Sequence, residues 1–254
     1  MIEVQGLSKR FGDNQVLTDI SAVFEQGKVN QIIGMSGSGK SVLTKCMVGL
    51  HRPEEGRVLY NGRSFHDMND EEKRGIRQEI GMLFQSSALF DSLTVLANVM
   101  FPLKMFARGS EEEMRERARF CLDRVNIVDK DDLFPSQISG GMQKRVGIAR
   151  AIAMEPKYLF CDEPNSGLDP QTAILIDDLI KELTEEYNTT TIVVTHDMNS
   201  VMETGENIIF IHQGRKWWQG SRQELLNSDN TELNEFIYAG ELMREVKRAR
   251  DAGR

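Results

Sequence analysis

The stretch "GMSGSGKS", residues 34–41, decides how the rest of the chain is read. It matches G-x-x-x-x-G-K-[ST] at every specified position, the pattern of a loop that cradles phosphate. Gly34, Gly37 and Gly39 leave room for backbone N–H groups to close on a phosphate, where a Cβ would hold it off. Ser36 and Ser38 fill the positions between them. Lys40 reaches toward the β- and γ-phosphates of a nucleotide as a point charge, and the Ser41 hydroxyl is a ligand for Mg²⁺, with Val42 beside it. Gly/Ser loops are common by chance, so the flanks matter. Here "VNQII" (Val29–Ile33) reads as a strand entering the loop, and a helix begins at about Ser41.

Working outward, further strands alternate with helices, the pattern of a parallel sheet covered on both faces. "KYLFCDE", residues 157–163, is a short apolar run that ends in two acids. "TTTIVVTH", residues 189–196, is rich in β-branched residues, as a strand buried on both faces should be. Ligands of open α/β sheets bind at the carboxyl ends of the strands. That edge holds Asp162 as a candidate for Mg²⁺, Glu163 as a base that orients and deprotonates an attacking water, and His196 near the γ-phosphate. Gln85, in "GMLFQSS", brings an amide within reach of metal or water, although a glutamine bonded to backbone fits equally well. Phe11, in "KRFGDNQVL", is a candidate for stacking on adenine, with core packing as its plainer reading. Between the acids and the third strand, Asp169 caps a helix with Pro170 in its first turn, and Leu175, Leu179 and Leu183 repeat along one face.

A second poor helix former stands at residues 138–145, "ISGGMQKR", where a Ser-Gly-Gly start has no reason in propensity. A bare helix N-terminus favours an anion, so this reads as a second phosphate grip. From about residue 86 to 154 the chain shows helices and loops without a strong strand, a helical lobe inserted into the α/β domain. Within it, residues 111–127 place Met114, Ala118, Cys121, Leu122 and Val125 at helical spacing, and the Ser-Gly-Gly helix continues with Met142, Val146, Ala149 and Ala153. A hairpin is expected around "HQGRKWWQG", where adjacent Trp217 and Trp218 face opposite sides. The expected division is therefore 1–222 for the main domain, with the lobe at 86–154 inserted, and 223–254 for a polar helical tail.

The composition narrows the partners. The 254 residues carry a net charge of −8, which argues against a nucleic acid as the main partner. Cys46, Cys121 and Cys161 are scattered without a CxxC pair and read as reduced, buried thiols. The N-terminus lacks the basic start and apolar core of a signal peptide, and no apolar run is long enough to span a bilayer. Any service to a membrane would pass through another chain. The absence of an NKxD motif disfavours a GTPase, and the chain has no room for the long coiled coils of chromosome-organising ATPases.

"GMSGSGKS", Gln85, "ISGGMQ", "LFCDE", "SGLD" and the "TH" at 195–196, in that order, resemble the ATP-binding subunit of an ABC transporter. The resemblance runs to about residue 222 and implies a P-loop, RecA-like α/β fold with an antiparallel β portion at the N-terminus and an inserted helical subdomain. It implies a head-to-tail homodimer around two ATP molecules. Phe11, Lys40, Ser41, Gln85, Asp162, Glu163 and His196 would act from one chain, and Ser139, Gly140, Gly141 and Gln143 from the other, with Asp169 linking the sites. The second phosphate grip would then hold the same nucleotide from the opposite side. Asn165 stands where Thr is more usual, and Ile138 replaces the commoner Leu.

Residues 81–103, "GMLFQSSALFDSLTVLANVMFPL", are similar to the ATPases of lipid-asymmetry (Mla, Mce-associated) transporters. That narrower resemblance implies phospholipid transport at the cytoplasmic face of the inner membrane, with two copies of a permease, an MCE-type lipid-binding subunit and a small cytoplasmic accessory protein. In such ATPases this segment receives the permease's coupling helix, so Ala88, Leu89, Phe90, Leu93 and Val95 divide between that socket and the core of the lobe. Transport of lipoproteins or amino acids, and a non-transporting regulatory ATPase of the division-associated type, share every catalytic residue named above.

Overall fold

In the computed structural model, which describes residues 1–239, strand propensity and glycine turns divide the chain much as the sequence suggests. β1 (Ile2–Phe11) and β2 (Asn14–Phe24) form a hairpin, and β3 (Val29–Ile33) runs into the glycine loop and α1 (Lys40–Met47). β4 (Glu55–Tyr60) returns beside β1 and is followed by the short β5 (Arg63–Ser64), giving an antiparallel sheet in the order β2-β1-β4-β5. α2 (Asp70–Gln78), capped by Asn69, leads to β6 (Ile80–Leu83). The helical lobe follows as α3 (Val95–Phe106), α4 (Glu111–Arg124) and α5 (Gly140–Ile152). The chain then alternates through β7 (Tyr158–Asp162), α6 (Pro170–Tyr187), β8 (Thr190–Thr195) and α7 (Met198–Thr204). It closes with β9 (Asn207–His212), β10 (Arg215–Gly220), α8 (Arg222–Leu226) and α9 (Thr231–Ile237).

The main sheet has the order β10-β9-β3-β8-β7-β6. Its β9, β3, β8, β7 and β6 are mutually parallel, and β10 adds an antiparallel edge through the expected hairpin. β3 is central and buried at every position, yet two of its five residues are amides. Asn30 lies in the sheet because its Nδ2 donates to the carbonyls of Glu25, Lys28 and Thr191, and Gln31 donates to Ser200 O and Thr204 Oγ1. One apolar core joins the antiparallel sheet, α1 and the near face of the main sheet. A second joins the far face to α3, α4, α5 and α6, and a third seats α8 and α9 on β3 and β9. The described part of the C-terminal tail thus packs on its own chain through Leu225, Leu233 and Ile237. Its basic end, "REVKRARDAGR", lies outside the described residues.

Asp169 caps α6, accepting from the N–H groups of Gln171 and Thr172, and Asn188 ends it in the left-handed conformation. The buried stripe, however, is Ile176, Leu179, Ile180 and Leu183, and Leu175 is 65% exposed. Leu175 sits roughly 140° round the axis from Ile180, so spacing by fours carried it off the core face. The cysteines are free and buried as expected, and burial pushes the thiols of Cys46 and Cys121 up to about 11 and that of Cys161 to about 12. Among the described residues no helix is long and apolar enough to cross a membrane.

Candidate functional site

The glycine loop closes over the carboxyl edge of β3. Gly34 adopts φ +147°, and a Cβ there would lie 2.2 Å from the Ile211 carbonyl oxygen, so no larger residue fits the turn. Gly39 sits at the N-cap of α1 with no side-chain cap, which leaves the helix N-terminus to its backbone donors. Lys40 folds back on the loop, donating to Gly34 O at 2.8 Å and Met35 O at 3.0 Å. Burial holds its ammonium below the ordinary value, while Glu163 and Asp162 pull the other way. The Ser38 hydroxyl is buried beneath the loop.

β7 and β8 deliver the acids and the histidine to the same edge, where a cleft of about 900 Å³ opens. Ser36, Gly37, Gly39, Lys40, Ser41 and Val42 form one wall, and Gln85, Glu163 and His196 face them. Glu163 has a left-handed backbone, φ 49°, with its N–H donated to Val194 O at 2.8 Å. Its carboxylate meets His196 Nδ1 at 2.8 Å. Gln85 donates to Ser166 Oγ at 3.4 Å.

Asp162, one residue earlier, is raised by burial and then by the charge of Glu163; Lys45, Lys40 and a hydrogen bond with Ser41 oppose the shift. Its Oδ1 is buried without a hydrogen-bond partner. Among the described residues no three His, Cys, Asp or Glu side chains converge as a metal cage. An orphaned carboxylate oxygen beside a serine hydroxyl nevertheless fits Mg²⁺, which keeps several waters and takes few protein ligands.

The remaining candidates lie elsewhere. Phe11 is at the β1–β2 turn, packed edge-on against His51 with Lys9 Nζ 5.0 Å from its ring, and Val16 lines the cleft instead. Ser139 caps α5 by accepting from Met142 N–H, and Gly140 has open space around its missing Cβ. A Cβ on Gly141 would lie 2.7 Å from Thr172 Cγ2, and Thr172 Oγ1 donates to Asp169 at 2.5 Å. The Ser-Gly-Gly turn and Asp169 therefore adjoin each other away from the cleft. Gln143 turns back, donating to Pro135 O at 2.9 Å.

A sequence model described as ABC transporter matches residues 17–166. The chain belongs to the ABC transporter family. The probable ribonucleotide transport ATP-binding protein mkl of Mycobacterium leprae (strain TN) is 36% identical over 236 residues, 93% of this chain and 68% of its own. The glutamine transport ATP-binding protein GlnQ of Bacillus subtilis (strain 168) is 42% identical over 215 residues, 85% of this chain and 88% of its own. Among solved structures, the dimeric ABC transporter cassette MJ0796 superposes with a TM-score of 0.80 at 36% identity, covering 87% of this chain and 99% of that one. The ABC fold expected from the motifs is thereby shown, and the chain is an ABC ATPase.

Several residues around this ABC site carry no motif. Arg150 donates to the carbonyls of Ser87 and Ala88, at 2.6 and 2.7 Å, where both residues have positive φ just after Gln85. Asp177 accepts from Asn165 and Ser200, joining the loop after Glu163 to α7. Lys144 donates to the carbonyls of Gln85 and Glu163. A lysine or arginine in a helix is by default a surface residue, so nothing in the sequence marks Lys144 as buried or Arg150 as half-buried. Phe236, Ile237 and Ala239 also reach the cleft from the C-terminal segment. On the lobe, a groove of about 410 Å³ is lined by Phe84, Ala88, Phe90, Phe101, Pro102 and Met154 among others. Val95 is core and Leu89 packs against it, whereas Ala88 and Phe90 line the groove.

Proposed function

We propose that this chain is the ATP-hydrolysing subunit of a membrane transporter, acting as a head-to-tail homodimer around two ATP molecules. The observation that carries the reading is the Glu163–His196 pair at 2.8 Å facing Lys40 and Ser41 across one cleft. The backbone donors of residues 36–42 and the Lys40 ammonium hold the β- and γ-phosphates. Glu163 accepts a proton from a water aimed at the γ-phosphorus, while His196 holds the carboxylate in place. Water adds to that phosphorus as the bond to the bridging oxygen breaks, giving ADP and phosphate. Asp162 and Ser41 would hold Mg²⁺, which when bound neutralises charge on the phosphates. Ser139, Gly140 and Gly141 of a second copy grip the γ-phosphate from the far side, which accounts for their distance from the cleft of their own chain. Gln143 supports that grip by bracing the turn before α5. Val16, not Phe11, lines the cleft where the adenine end would lie.

In this reading the permease, in two copies, docks on the apolar groove lined by Phe84, Phe90 and Phe101, and the chain works at the cytoplasmic face of the inner membrane. The proposed cargo is phospholipid, with an MCE-type subunit and a small accessory protein completing the complex; residues 81–103 support this. Relatives named for ribonucleotide and glutamine transport set the alternative. Purification of the chain with its permease, followed by mass spectrometry of retained lipid and assay of ATPase stimulation, tests it. Retained phospholipid that stimulates turnover supports the reading, whereas stimulation by an amino acid or nucleotide assigns the cargo there.

A further inference from the structure

The geometry points to Lys144 as a positioning residue that holds Gln85 and Glu163 in register from the helix that begins with Ser139. The inference rests on the reading of the cleft as the site of ATP hydrolysis. Lys144 is only 5% exposed. Its two hydrogen-bond partners are main-chain oxygens, Gln85 O and, at 3.3 Å, Glu163 O. These carbonyls follow the ends of β6 and β7, which are adjacent parallel strands. One buried ammonium thus spans the two loops that bring the amide and the carboxylate to the cleft.

Glu163 needs such a hold. Its φ of 49° is a left-handed conformation that an ordinary L residue adopts at a cost, and surrounding structure must maintain it. Val194 fixes its N–H, His196 its carboxylate, and Lys144 its carbonyl. The three contacts come from β8, the loop after it, and α5. Lys144 is desolvated, and its ammonium is held below the ordinary value by that burial, against the pull of Cys161, Glu163 and Asp162. A cation kept there without a carboxylate among its hydrogen-bond partners is expensive unless main-chain oxygens need it.

The same helix offers Ser139 at its N-cap, one and a half turns from Lys144. A helix segment this short is rigid, so movement of the Ser-Gly-Gly turn also moves the hold on Glu163. Lys144 thereby ties the grip that one chain extends to its partner's ATP to the base that acts on its own.

The test uses the full chain with Lys144→Met, which keeps the aliphatic stem and removes the donor, and Lys144→Arg, which restores donors. The expected result for Lys144→Met is a roughly 10- to 100-fold loss of kcat, the scale of a small misplacement at the reacting atoms. KM and the affinity for a fluorescent ATP analogue stay within about twofold, because the phosphate loop is untouched. The ATP-bound dimer should accumulate, and Lys144→Arg should regain much of the rate. A Lys144→Met chain with normal kcat overturns the proposal. So does one in which kcat, nucleotide affinity and Tm fall together without rescue by Arg, since that is a packing role alone. If Lys144→Met does not fold, Lys144→Gln is read by the same kcat-against-KM criterion. Glu163→Gln is measured in parallel: if it retains turnover, the site reading itself fails; if it loses turnover while Lys144→Met does not, only the role of Lys144 fails.

Discussion

His196 Nδ1 lies 2.8 Å from both carboxylate oxygens of Glu163, with the histidine side chain 66% exposed and the glutamate 15% exposed. Both side chains line the cleft, the ring more exposed than the carboxylate. One residue thus fixes the orientation of the other, and both lie at strand ends that the sheet alone brings together.

Glu163→Gln keeps the size and the hydrogen-bonding capacity of the side chain but removes the base. Turnover should fall by roughly 10²–10⁴-fold, the usual scale for a general base, with ATP affinity retained. Size-exclusion chromatography with ATP should show a trapped dimer. Turnover near the normal rate would remove Glu163 from this role.

Ser139→Arg places a bulky cation at the turn proposed to meet the partner's nucleotide. Hydrolysis should be lost while ATP binding at Lys40 stays normal, because Ser139 does not line its own cleft. Loss of binding instead would mean that the turn acts within its own chain. Dilution of the unmodified protein should likewise lower specific turnover, because each proposed site takes half of its groups from a second copy.

Gly141→Ala introduces a Cβ 2.7 Å from Thr172 Cγ2. Overpacking of this kind costs about 1–3 kcal/mol, and here the strain falls on the Ser139 cap and on Asp169. Stability and turnover should both drop. Adding Thr172→Ser removes the opposing methyl but keeps the hydroxyl that bonds Asp169, so the double variant should recover both in denaturation and activity assays.

Asp177 is 4% exposed, and burial raises its carboxyl to about 6, with Ser200 and Asn165 opposing the shift. The folded chain therefore binds this proton more tightly than the unfolded chain. Below pH ~4 the group is protonated in both states; between about 4 and 6 its contribution to stability falls as pH rises, and above about 6 the cost is complete, on the order of 2–3 kcal/mol. Urea titrations of the unmodified chain and Asp177→Asn across this range should diverge in that direction. Parallel curves would show that Asp177 is not buried as a charge.

Much of the site was legible because its chemistry is local. The loop at 34–41 specifies its turn, its lysine and its helix start within eight consecutive residues, and Asp169-Pro170 specifies a cap in two. The acids of "LFCDE" and the histidine of "TH" lie at one edge because adjacent parallel strands share their carboxyl ends. Leu175 was misplaced because spacing by fours drifts round a helix with 3.6 residues per turn.

By itself the sequence determined the glycine loop with its lysine and serine, and that strands and helices alternate around it, since both follow from side-chain identity and short-range geometry. Tertiary structure alone decided that Val16 rather than Phe11 lines the cleft, that Lys144 is buried against the carbonyls of Gln85 and Glu163, and that Asp177 bridges Asn165 and Ser200. Each of those depends on which distant segments the fold sets side by side, and on the loss of water around a charge. Neither is written in the neighbours of a residue along the chain.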